Sequence, residues 1–274
     1  MRRDRGFALL IVLWTLALLS LLISQLAGSG RQAVRLAGNM RAQSALRAAV
    51  DGAVQEAGFH VGASGAAHWP ANGAVREWRQ DGAIIRVRIT SEAGKINPGI
   101  ASLELLTALV HACGVEVPKA TVIASATVAW RFPTAQANYG AAAYRAAGRD
   151  YGPPGQPFES LDELGLVLGM TPDLLACLVP HLSLYREADP DPNAADPLVL
   201  RALTETTGTP PQLTEAPVDE SVVAIGAVAT GADGARATRR AILRMDPRPP
   251  ASGAGIPGRP DDALVPFRVM QWGR

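Results

Sequence analysis

The chain has 274 residues, a net charge of +1, 48% hydrophobic residues and 19% charged ones, which suits one or two compact domains and excludes a disordered chain. Its 27 Gly and 21 Pro follow no fixed period, so a collagen-like repeat is excluded too. Charges that nearly cancel exert no overall pull on nucleic acid or anionic lipid, and composition alone marks no local basic patch.

The first element is a short leader, Met1 to Gly6, with Arg2, Arg3 and Arg5 against Asp4, followed by an uncharged run from Phe7 to Ala27. At about 1.5 Å per residue, some 20 apolar residues cross a hydrocarbon core of about 30 Å, so the run predicts a single membrane span. The basic flank keeps the N-terminus in the cytoplasm and places the rest of the chain outside. A cleaved secretory signal has an apolar region of about 7 to 15 residues. This run is longer, although Ala27-Gly28-Ser29 has the small residues of a cleavage site.

Beyond the span, Leu46, Val50, Ala53, Val54 and Ala57 form one stripe of an amphipathic helix, which Gly58 and Gly62-Ala63-Ser64-Gly65 are expected to end. Pro70-Ala71-Asn72-Gly73 reads as a turn. Ile85, Val87 and Ile89 then alternate with Arg86, Arg88 and Thr90, a strand with one wet face. From Ala93 to about Ala216 the pattern is short helices between Gly and Pro signals. Ser102 is a candidate N-cap for a helix ending near Gly114, and a second helix starts near Pro118 and runs through Trp130. Ser160 and Glu163 match a capping box, weakened by Gly165, and Thr171-Pro172 opens another helix.

Strand signals return at Ser221 to Ile225, with a hairpin turn at Gly231 to Gly234 and a returning strand from Thr238 to Met245. A Pro/Gly loop from Pro247 to Pro260 precedes a final edge strand from Leu264 to Trp272. Strands on both sides of a helical segment point to an α+β fold in which a helical unit is inserted into an antiparallel sheet domain. The expected organisation is a leader at 1–6, a membrane helix at 7–27, its external continuation at 28–60, a sheet from 61–95 and 217–274, and an all-helical insert at 96–216.

Cys113 and Cys177 lie in the exported part, where oxidising conditions favour a disulfide. A loop of some 60 residues closed by one bond contributes about 4 kcal/mol in the chain-entropy model. With His111 and His181 the same cysteines also make a four-ligand zinc-type set, at a spacing that matches no common finger. Glu187, Asp189, Asp191, Asn193 and Asp196 crowd hard oxygen donors that suit calcium, beginning like an EF-hand and departing from it at Ala194 and Leu200. The plain alternative is a solvated Asp-Pro loop.

No His-Glu-x-x-His, Gly-x-Ser-x-Gly or phosphate-loop motif is present, and His60 and His68 stand outside any catalytic set, so no enzymatic activity is expected. Ile96 to Leu106 and Leu168 to Thr171 are similar to helix-hairpin-helix units that grip phosphate backbones. Their surroundings are acidic, and Met170, Thr171 and Pro172 follow Gly169, so no nucleic-acid partner is expected.

The border of Gly6 with Phe7 resembles the prepilin signal of type IV pilins and type II secretion pseudopilins. That resemblance implies cleavage after Gly6 by a prepilin peptidase and methylation of the new N-terminal Phe7. Most members carry glutamate at the fifth mature position, where this chain has Ile11. In the family that glutamate meets the N-terminal ammonium of a neighbouring subunit. A carboxylate inside the bilayer is costly unless paired, so an apolar residue suits a subunit loaded first, at the tip. Among pseudopilins this departure belongs to the K branch, the general secretion pathway protein K family. Gly94-Lys95-Ile96-Asn97-Pro98, Pro157 to Leu164, Gly169-Met170-Thr171 and Pro266 to Trp272 also look like that branch.

The resemblance implies a pseudopilin fold with an inserted helical domain and a place at the pseudopilus tip, for export of folded proteins across the outer membrane. The partners it implies are minor pseudopilins of the I and J type, the major pseudopilin, the prepilin peptidase and the inner-membrane assembly platform. It also implies calcium in the helical domain, for which Asp150, Glu159 and Asp162 rival the Glu187–Asn193 loop. A type IV pilus-like or DNA-uptake minor pilin and a plain bitopic periplasmic protein are the alternatives.

Overall fold

A computed structural model describes residues 4–132, 137–245 and 267–273. Helix α1 (Asp4–Gly62) runs unbroken for 59 residues, about 88 Å. Its large apolar side chains from Leu10 to Leu22 are half to two-thirds exposed, from 49% at Ile11 to 67% at Trp14. The side chains of residues 1–9 and 23–34, including Gly6, Phe7 and both ends of the expected span, lie outside the described residues. Among the described residues, no helix is long and apolar enough to cross a membrane.

The far end of α1 lies across one face of a five-stranded antiparallel sheet, in spatial order β1 (Asn72–Gln80), β2 (Ala83–Ser91), β3 (Val222–Thr230), β4 (Arg236–Met245) and β5 (Phe267–Gly273). The stripe expected from periodicity is the buried one: Leu46, Val50, Ala53, Val54 and Ala57, continued by Val61. It packs on Ile85, Val87, Ile89, Val223, Ile225 and Leu243, the inward members of strands whose period of two puts their neighbours on the other face. Arg239 reaches back from β4 to Asp51 of α1 at 2.6 Å.

Two expectations are corrected in this region, and one strand is added. Gly58 does not end the helix, which continues to Gly62; it is instead where Phe267 and Leu243 press on the backbone, a Cβ there lying 2.6 Å from the Phe267 ring. The supposed turn at Asn72-Gly73 is the bulged start of β1, with Gly73 at φ +80° and the Ala74 N–H donating to Asn72 Oδ1. Strand β1 itself lacks a sequence signal because it is an edge with no fully buried residue. The loop Pro247–Pro260, and Leu264 to Pro266 of the final strand, lie outside the described residues.

Between β2 and β3 the chain leaves the sheet and builds a second core from α2 (Leu103–Ala112), α3 (Val117–Arg131), α4 (Ala141–Ala146), α5 (Pro172–Leu178) and α6 (Pro197–Thr207). Ser102 caps α2 by accepting the Leu105 N–H, and Thr171 caps α5 by accepting that of Leu174. From Ile123 to Arg131 helix α3 is buried nearly all round, its alanines Ala124, Ala126 and Ala129 letting neighbours approach closely. The Ser160–Glu163 capping box forms, but the turn it starts, Leu161–Leu166, winds as a 3-10 helix.

Candidate functional site

The residues that set this chain apart from a plain helix-and-sheet subunit are those that attach the insert. Gly94 lies so close to the loop before α6 that a Cβ there would stand 2.2 Å from the Ala194 carbonyl, leaving room only for glycine. The Asp191 N–H donates to Ala93 O at 2.8 Å on the same side. Ile96, fully buried, bridges to Leu182, its N–H donating to His181 O and its carbonyl accepting the Ser183 N–H. Asn97 is 8% exposed; its Nδ2 donates to Arg186 O at 2.6 Å and its Oδ1 accepts the Gly99 N–H at 2.7 Å. A buried amide satisfied on both sides holds one geometry, since any other leaves polar atoms unpaired.

Charges tie the same junction. Glu92, 2% exposed, meets Lys95 Nζ at 2.6 Å, Arg186 pairs with Asp219, and Glu187 pairs with Arg244 of β4 at 3.0 Å. Tyr185 packs on Val222, Ala224 and Ile242, the outer face of the sheet; burial, and then the Glu92 charge, push its phenol above the usual range. A cleft of about 270 Å³ opens between insert and sheet, walled by Glu159 and Asp162 on one side and Arg240 and Gln271 on the other.

Within the insert, the other stretches quoted for the K branch do structural work. Phe158 stacks on Trp130 with ring centroids 6.2 Å apart, Leu164 is buried, and Gly169 at φ +83° sits against Ile123. Cys113 and Cys177 are joined, their Cα atoms 6.2 Å apart, linking the end of α2 to α5. This leaves no thiol for the zinc-type set, and its histidines turn elsewhere, His111 to Glu205 at 2.9 Å and His181 to Asp196 at 2.6 Å.

The proposed calcium donors are likewise not brought together. Glu187 faces Arg244, Asp191 Oδ1 accepts the Asn193 N–H, and the Asn193 side chain exchanges two hydrogen bonds with Thr214. The Asp189 carbonyl accepts from Arg186. Asp196 is the N-cap of α6, accepting the N–H groups of Leu198 and Val199, a helix with no expected start in the sequence reading. Burial raises its carboxyl, but the His181 hydrogen bond and the two N–H donors outweigh that, holding it below the usual aspartate range. Among the described residues no three His, Cys, Asp or Glu side chains gather as a metal site.

The fold aligns with a chain of the crystal structure of the GspK-GspI-GspJ complex from the type 2 secretion system of enterotoxigenic Escherichia coli. The TM-score is 0.60 at 15% identity, covering 88% of this chain and 99% of that one. At that identity the likeness establishes the fold: a helix-backed antiparallel sheet that carries helices. The model of the family described as type II secretion system (T2SS), protein K, matches residues 89–187, from the end of β2 to Glu187. The resemblance to the K branch therefore holds, on the segment that carries the Gly94–Pro98 junction. No curated relative matches the chain.

Proposed function

We propose that this chain is the K-type minor pseudopilin of a type II secretion system. In this reading it is a non-enzymatic subunit that starts and caps the pseudopilus tip. The observation that carries the reading is the helical unit spliced between β2 and β3, most of which, through Glu187, matches the protein K family model. Each shaft subunit of a helical fibre is packed by neighbours on several sides, and a second core as large as this insert would collide with them. At the tip it projects freely.

The other parts of the proposal follow the N-terminus. The Phe7–Ala27 run anchors the precursor in the inner membrane with the bulk of the chain in the periplasm, and prepilin peptidase cuts after Gly6, leaving a methylated Phe7. Ile11 then stands where other pseudopilins carry the glutamate that meets a neighbour above, which a first-loaded subunit lacks. Helix α1 and the sheet would meet I- and J-type minor pseudopilins, and the major pseudopilin and the assembly platform would follow.

The test is co-expression of the full chain with the I- and J-type subunits of its own system. A three-component complex that survives gel filtration is expected, together with loss of secretion on deletion of this chain. Failure to associate with either subunit, with secretion intact, would contradict the reading.

A further inference from the structure

The net charge of +1 hides a segregation of charge. Residues 96–216 hold 13 Asp and Glu against 6 Lys and Arg, so the insert is acidic and the rest of the chain is basic. The register of the sheet gathers much of that positive charge on the face turned away from α1. In β2, β3 and β4 the inward residues are apolar except Ser91 and Arg239, which pairs with Asp51 of α1, and the outward ones include Arg86, Arg88, Arg236, Arg240 and Arg244. Arg79 and Arg268 join them from the two edge strands, through their pairing with Ile84 and Arg244.

Two of these arginines frame a floor. Arg88 and Arg240 both pair with Gly226 of β3, so the three residues form one row across the sheet, and open space lies above Gly226, where a Cβ would meet nothing within 4 Å. At about 4.8 Å between neighbouring strands, the two arginine backbones stand roughly 10 Å apart. Arg88 donates to Gly73 O at 2.6 Å, which fixes one of its nitrogens. Among the described residues neither Arg88 nor Arg240 is paired with a carboxylate; of the acids on this side, Glu77 pairs with Arg86, Glu187 with Arg244 and Glu92 with Lys95. Glu159 and Asp162, on the insert side of the cleft beside Arg240, bound the surface there.

We propose that this outer sheet face, centred on Arg88, Gly226 and Arg240, docks an acidic protein segment, with its carboxylates held between the two guanidiniums. Guanidinium forks match carboxylates in shape as well as charge, which favours arginine over lysine in such a role. Two other anionic partners fit less well. A single-stranded nucleic acid needs aromatic side chains for its bases to stack on, and the outward residues of β2, β3 and β4 include none. A lipid surface would lie about 28 Å away along α1, measured from Ala27 to Leu46, where helix and sheet first meet. The choice of an anionic partner rests on the sheet alone; only the exclusion of a lipid surface rests on the proposed membrane placement of Phe7–Ala27.

The test uses the full chain in nonionic detergent and a fluorescent poly-L-glutamate peptide of about 20 residues, read by anisotropy. Saturable binding at low salt is expected, weakened about tenfold or more between 50 and 300 mM NaCl. The double variant Arg88→Glu/Arg240→Glu should lose about tenfold or more in affinity. Arg88→Lys/Arg240→Lys should bind more weakly than the parent but better than the glutamate variant, and Arg35→Glu/Arg41→Glu on α1 should leave the affinity unchanged. Thermal unfolding of each variant at the wild-type temperature ties the loss to the surface rather than to misfolding. No saturable binding, or an equal loss from the α1 variant, would overturn the proposal. Tighter, Arg88- and Arg240-dependent binding of polyuridylate or of phosphatidylglycerol vesicles would overturn the choice of an acidic protein partner.

Discussion

The ring of Phe267 lies against the bare backbone of Gly58, so close that a Cβ on the glycine would stand 2.6 Å from Cε1. The last strand of the sheet and the end of the long helix are thereby locked edge to edge, although 208 positions separate them in sequence. Gly58→Val should force the ring and Leu243 aside and cost about 2 kcal/mol by overpacking. Chemical denaturation checks this, and a variant as stable as the parent would show that the contact is not tight.

Gly94 makes the corresponding contact for the insert, with main-chain atoms of Ala194 and Ala195 that have no rotamer to escape into. Gly94→Ala should cost about 3 kcal/mol and loosen the loop before α6. Limited proteolysis should then cut between Glu187 and Asp196 while α1 and the sheet remain protected. Unchanged resistance in that loop would contradict the account of the junction.

The Cys113–Cys177 bond closes a loop with a sequence separation of 64. Reduction, or Cys113→Ser/Cys177→Ser, should lower stability by about 4 kcal/mol in the chain-entropy model. Thiol labelling of the native protein without reductant should find no reactive cysteine. Two labelled thiols would reject the bond.

Acid should attack the cap of α6. The folded Asp196 carboxyl lies below the usual aspartate range, so the stability it lends is present above its unfolded pKa, about 4, and fades as pH falls through the lower folded value. Asp196→Asn keeps a good N-cap but removes the titration, so Tm should decline less steeply below pH 4 than in the parent. Asp196→Ala should cost about 1 kcal/mol at neutral pH. Superimposable Tm curves for the parent and the Asn variant would show that His181 and Asp196 do not couple to folding.

Much of this fold was readable in the sequence because local rules and tertiary packing agree. The Leu46–Ala57 stripe, the alternation from Ile85 to Thr90, the Ser102 and Thr171 caps and the Gly231–Gly234 turn each have one physical reading, and the structure adopts it. Where it departs, long-range contacts override local signals. Gly58 looks like a helix stop until Phe267 covers it, and Asn72-Gly73 looks like a turn until β2 pairs with it. Asp196 looks like a metal donor until it proves to be the cap of a helix whose apolar face, Val199 and Ala202, is too short to announce itself. The basic face was hidden because its arginines lie in four different strands, and only their register brings them together.

The central claim is that this chain is a processed pseudopilin subunit, and the N-terminus of the mature protein tests it most directly. Intact mass and N-terminal sequencing should be done on protein from membranes of cells with active prepilin peptidase, beside a Gly6→Ala precursor. The account predicts a mature chain beginning at a methylated Phe7, absent from the variant. A chain that still begins at Met1, or one that begins near Ser29, would contradict it.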